Sequence, residues 1–101
     1  MPKTRIPTHP GEILKDELAE RGMSANRFAI EIGVPATRIG QILKLRRAVT
    51  PETALRLAAY FGGSASVWLN MQAAYDLALA EKEHAKEIKR TVSAPAKTVA
   101  A

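Results

Sequence analysis

Apolar residues recur at intervals of three and four along most of the chain, and Gly, Pro, Ser and Thr interrupt that rhythm often enough to define separate helices. In EILKDELAER, Leu14 and Leu18 line one face with Ile13 beside them, while Glu17 and Arg21 sit four apart on the outside; a helix is predicted after Pro10 and Gly11, stopping at Gly22. Ser24 is placed to cap a second helix, because its hydroxyl can accept from the free amides of the first turn, and Phe28, Ala29 and Ile32 share its inner face up to Gly33. Val34 leads into a third helix, from Pro35 to about Lys44, with Ile39, Ile42 and Leu43 pointing inward. Thr50 and Pro51 read as the cap and first residue of a fourth, burying Ala54, Leu57, Ala58 and Phe61 and ending at Gly62 and Gly63. Ser64 caps a fifth through VWLNMQAAYDLALAE. The expected fold class is all-α, and the short second and third helices with a Gly-containing turn between them have the layout of a helix-turn-helix.

Residues 1–9, with Pro2, Pro7 and Thr8, read as an extended arm, residues 10–83 as the folded domain, and residues 84–101 as a flexible basic tail in which the apolar period fades. On the last helix Trp68, Leu69, Gln72, Tyr75 and Leu79 spread over more than one stripe. That face is wider than one small domain can cover, so Trp68, Leu69 and Tyr75 are read as core or dimer anchors, with a homodimer expected. The default role for Asn70 and Gln72 is a buried hydrogen bond.

Charge sharpens the picture. The chain of 101 residues carries a net +5, of which residues 82–101 hold +3. In the nearly balanced body, no acid lies between Glu31 and Glu52, whereas Arg38, Lys44, Arg46 and Arg47 all do. With the third helix's aliphatic stripe inward, Ala36, Thr37, Arg38, Gln41 and Lys44 face outward. Small residues at a helix start permit close approach to base edges, Thr37 and Gln41 can donate and accept there, and an Arg can grip a guanine edge. Lys44, Arg46 and Arg47 suit phosphate. Such a cluster is ordinarily a solvated face; its position on the second helix of a helix-turn-helix turns the reading towards double-stranded DNA.

Other chemistries find little support. With no cysteine, disulfides, thiolate metal sites and cysteine nucleophiles are excluded. His9 and His84 lack companions at metal-ligand spacing, and His9 reads as a helix-start residue. Asp16 with Glu17, or Glu12 with Asp16, lies on the exposed side of a charged helix rather than in a pocket, so neither an enzyme nor a cofactor is expected. No apolar leader and no membrane span is apparent, and a cytoplasmic location is expected.

Four segments carry a resemblance: HPGEIL, SANRFAIEIGVPATRIGQIL, RRAVTPETALRLAAYFG and WLNMQAAYDL. In unbroken order over about residues 7–81, they resemble the antitoxins of HigBA toxin-antitoxin modules, the VapI-like branch of the XRE-type helix-turn-helix family. The resemblance implies a five-helix, lambda-repressor-like DNA-binding domain that forms a homodimer on a palindromic operator, represses its own operon and neutralises a HigB-like, RelE-type ribonuclease toxin. It places Ala36, Thr37, Arg38 and Gln41 at base-reading positions, and Ser24, Arg27, Lys44, Arg46 and Arg47 near the DNA backbone. Two departures stand out: Leu45 occupies a position usually held by Gly, where a left-handed turn would cost about 1–2 kcal/mol, so either the helix runs on by a residue or the strain is accepted, and Ala65 replaces a Pro at the start of the last helix. The residues leave open a stand-alone regulator without a toxin, and a protein-interaction module that has lost DNA binding.

Overall fold

The computed structural model describes residues 6–95 and contains, among them, five helices and no strand. In chain order these are α1 (Pro10–Glu20), α2 (Ala25–Ile32), α3 (Ala36–Leu43), α4 (Pro51–Phe61) and α5 (Ala65–Thr91). The all-helical expectation holds, and each break falls at the Gly or cap residue that predicts it. Ser24 Oγ accepts from Arg27 N–H, Thr50 Oγ1 from Thr53 N–H, and Ser64 Oγ from Ser66 N–H. Gly22 and Gly33 adopt φ of +63° and +76°, which lets Met23 and Val34 turn back to the carbonyls of Leu18 and Ala29 and close α1 and α2. Pro35 is the residue before α3, not its first.

The core joins all five helices. Leu14 and Leu18 of α1, Phe28, Ala29 and Ile32 of α2, Ile39 and Ile42 of α3, Ala54 and Leu57 of α4, and Trp68 of α5 are buried together with Val49. Leu43 and Phe61 pack against this cluster but stay partly open, and Ile13 is 37% exposed on the rim. Of the three anchors on α5, Trp68 belongs to the core, tilted against Phe61, while Leu69 and Tyr75 are half-buried.

One sequence expectation is corrected at the C-terminus. The helix does not give way after Glu83 but continues to Thr91, eight residues into the stretch read as a flexible tail. No packing holds this part, for every residue from 80 to 95 is exposed. Local preference suffices: EKEHAKEIKR is built largely of strong helix formers, and Lys89 and Arg90 in the last turn complement the helix dipole. The reading of an arm over 1–9 and of a tail over 84–101 lies partly outside the described residues; within them, residues 6–9 are non-helical and residues 92–95 follow the end of α5. None of the helices described is long and apolar enough to cross a membrane.

A buried polar cluster ties the ends of this bundle together. His9 caps α1, its Nδ1 accepting from Gly11 N–H at 2.8 Å. Its ring packs edge-on to Tyr75, with Nε2 3.4 Å from Gln72 Nε2. Gln72 Oε1 accepts from Val49 N–H at 2.8 Å, and Gln72 Nε2 donates to Asp76 at 3.0 Å. Gly11 follows for a steric reason: a Cβ there would collide with the Ile42 carbonyl at the end of α3. The HPG triplet is thus a cap, a first-turn Pro and a residue without side chain, pressed against α3.

Burial lowers the His9 pKa from its ordinary 6.5, outweighing the pull of the Asp76 and Glu12 carboxylates. The folded chain therefore binds this proton less readily than the unfolded one, and protonation at Nδ1 would remove the acceptor of the Gly11 amide. Stability contributed by neutral His9 is present in full above about pH 6.5 and is lost as pH falls from there towards the folded pKa. The melting temperature should drop between about pH 7.5 and about pH 5.5. In His9→Asn, which keeps the cap without titrating, this drop should flatten in a thermal melt followed by circular dichroism.

Candidate nucleic-acid interface

The helix-turn-helix consists of α2, the turn at Gly33–Pro35, and α3. With Ile39 and Ile42 fixing the inward direction of α3, the residues on the opposite face are Thr37, Gln41 and Lys44, spaced i, i+4, i+7. All three are exposed, and none is held by a side-chain hydrogen bond or ion pair among the described residues. Ala36 is also exposed and lies on one flank. Pro35 offers no side-chain cap; in the first turn of α3 the Arg38 N–H donates to the Pro35 carbonyl at 3.1 Å.

Arg38 departs from the expectation of a free, outward side chain. It lies on the flank towards α4, where Nη1 donates to Glu52 Oε1 at 2.9 Å and approaches Thr53 Oγ1 at 3.4 Å, leaving its side chain 24% exposed. The guanidinium is engaged by α4. Arg27, on the first helix of the motif, is exposed but pairs with Glu31 one turn on at 2.8 Å, and Ser24 is exposed at the start of the same helix. Lys44, Arg46 and Arg47 are exposed and without an ion pair among the described residues, so the positive field of the 32–51 stretch concentrates at the end of α3.

How that end is aimed depends on Leu45. Its φ is +61°, the left-handed region, and it is the only non-Gly residue with positive φ among those described. Leu45 N–H bonds the Ile42 carbonyl at 3.0 Å and Arg46 N–H bonds the Gln41 carbonyl at 2.8 Å. This is the same closing motif that Gly22 and Gly33 make for α1 and α2, here with a branched side chain in the Gly position. The helix therefore does not run on past Lys44; the chain accepts the strain, and Arg46 and Arg47 leave the end of α3 in a defined direction.

Comparison with known proteins places this arrangement. The family model described as helix-turn-helix matches residues 14–68. Virulence-associated protein I of Dichelobacter nodosus is 49% identical over 83 residues, covering 80% of this chain and 77% of that protein. An addiction module antidote protein of a HigA family from Coxiella burnetii has a solved structure that superposes with a TM-score of 0.82 at 43% identity, over 90% of this chain and 100% of that one. This chain belongs to the HigA family of helix-turn-helix proteins. Another similar structure is Pseudomonas aeruginosa antitoxin HigA with the higBA promoter, at 38% identity and TM-score 0.81, over 86% of this chain and 96% of that one. The HigA family is non-enzymatic.

Within this HigA-family domain, two residues matter that sequence reading passed over. Glu52 bridges Arg38 and Arg56, and Arg56 Nη1 donates to the Ile32 carbonyl at 2.8 Å, closing the exposed C-terminal end of α2. The i, i+4 spacing of Glu52 and Arg56 is legible in the sequence; their reach to Arg38 and Ile32 is tertiary. The strain at Leu45 yields a test. Relief of a left-handed Leu gains about 1–2 kcal/mol, and the extra freedom of an unfolded Gly offsets about 0.5–1 kcal/mol of it. Leu45→Gly should therefore raise stability, by at most about 1.5 kcal/mol, seen as a higher urea midpoint with unchanged m-value.

Proposed function

We propose that this chain is a homodimeric, operator-binding antitoxin that represses its own operon in the cytoplasm and neutralises a HigB-like, RelE-type ribonuclease toxin. The observation that carries the DNA part is the unpaired, outward row of Thr37, Gln41 and Lys44, continued by Arg46 and Arg47 beyond the helix end. In this reading Thr37, Gln41 and the small Ala36 meet base edges, while Lys44, Arg46, Arg47, Arg27 and Ser24 meet phosphates. The Pseudomonas relative solved with its promoter supports it. The toxin part is carried over from the HigA family.

Two features support the homodimer: the docking geometry of helix-turn-helix proteins and the surface of α5. A two-fold axis would set two copies of α3 about 34–36 Å apart, in successive major grooves, and make the operator a pseudo-palindrome. Leu69, Tyr75 and Leu79 are half-buried within one copy, and this partly open apolar surface on α5 is what a second copy would cover.

The purified protein should bind its own promoter fragment more tightly than a scrambled duplex of equal length throughout a salt series, both affinities falling as salt rises. Equal binding to the two would sink the repressor reading. Gln41→Ala should weaken promoter binding by about 1–3 kcal/mol while leaving the scrambled duplex, the fold and any complex with the adjacent gene's product unchanged. Sedimentation at micromolar concentration should give a species of twice the 11.0 kDa chain mass; a single-chain species there removes the dimer.

A further inference from the structure

One cation beside the reading face is kept occupied by the protein itself. Arg38 follows Thr37 directly, yet its guanidinium is bound to Glu52 at 2.9 Å. The second carboxylate oxygen, Glu52 Oε2, accepts from Arg56 Nε at 3.0 Å. Arg56 has an independent anchor in the Ile32 carbonyl, whereas Arg38 without Glu52 would keep only the 3.4 Å approach to Thr53 Oγ1. Hydrogen bonds from Arg56 first, and Arg38 second, hold the Glu52 carboxyl below the usual range, so it is an anion at neutral pH. Glu52 is also the acid that closes the acid-free stretch, and it stands in the first turn of α4, where the helix dipole favours a negative charge.

A free guanidinium at this flank would reach phosphate on any duplex. Such contacts add affinity everywhere and discrimination nowhere in particular. We propose that Glu52 is a specificity-determining residue of the DNA interface, which withholds Arg38 from the duplex so that recognition rests on Thr37 and Gln41. This rests on α3 being the DNA-facing helix. Glu52 does not touch DNA in this scheme; it acts through Arg38.

The test is a four-protein cycle of wild type, Glu52→Ala, Arg38→Met and the double variant, each titrated with the promoter fragment and the scrambled duplex across a salt series. Glu52→Ala should bind the scrambled duplex several-fold more tightly, with a slope of log affinity against log salt steeper by about 0.9 per bound copy, the value of one added phosphate contact. Its preference for the promoter should narrow. In the Arg38→Met background, the same Glu52 change should produce neither effect. Glu52→Gln, which keeps the shape but weakens the grip, should shift the slope the same way by less. An equal gain in both backgrounds would make Glu52 only a repulsive charge and overturn the proposal, as would no gain in either. If wild type fails to prefer its promoter, the reading of α3 falls and takes this inference with it. Wild-type preference with an unaltered slope in Glu52→Ala removes the inference alone.

Discussion

The side-chain amide of Gln72 is the point on which the arrangement turns. It is 5% exposed, and its two ends are committed to different parts of the chain: Oε1 to the Val49 amide in the loop after α3, Nε2 to Asp76 one turn along α5, with the His9 ring against it. A buried amide left without partners is costly, so these contacts exclude most alternative dockings of α5. Val49, itself buried, fixes where the loop from Lys44 to Thr50 re-enters the core. The basic turn at the end of α3 is thus set by a residue more than twenty positions further along the chain.

Around that hub the domain is braced from two sides. Inside, Ile39 and Ile42 press α3 onto α1 closely enough that Gly11 has no room for a Cβ against the Ile42 carbonyl. Outside, Glu52 and Arg56 run from Arg38 on α3 to the end of α2. A helix pair seated on a shared core keeps its mutual angle, which major-groove docking requires of it. The brace is exposed and therefore screened, so its value lies in where it directs Arg38 rather than in stability.

Much of this was legible in the residue order, because the features are local. Caps at Ser24, Thr50 and Ser64, stops at Gly22 and Gly33, and aliphatic periods through Leu14 and Leu18 or Ile39 and Ile42 express preferences set within one or two turns. The outward row on α3 followed from the same periodicity for Thr37 and Gln41. It failed for Arg38 because a long side chain on a flank can turn to either side, and its partner, Glu52, lies fourteen positions away. The C-terminal stretch was misread for the converse reason: fading apolar periodicity signals the absence of a packing partner, not of a helix, and Ala, Glu and Lys sustain the helix to Thr91 without one. At Leu45 the sequence posed two outcomes, and only the φ of +61° decided between them.

That unsupported part of α5 gives the molecule two scales of cohesion. The helix of 27 residues is about 40 Å long, and its part beyond residue 80 has solvent on every side, which draws the described chain out to 55 Å in its longest dimension. Its backbone hydrogen bonds can open from Thr91 inward, one residue at a time, without disturbing Trp68 or Gln72. Amide exchange should accordingly be fast at the far end and slow steeply on approaching the core. A protease able to engage a frayed helix would find its foothold there while the DNA-facing half of the molecule was still folded.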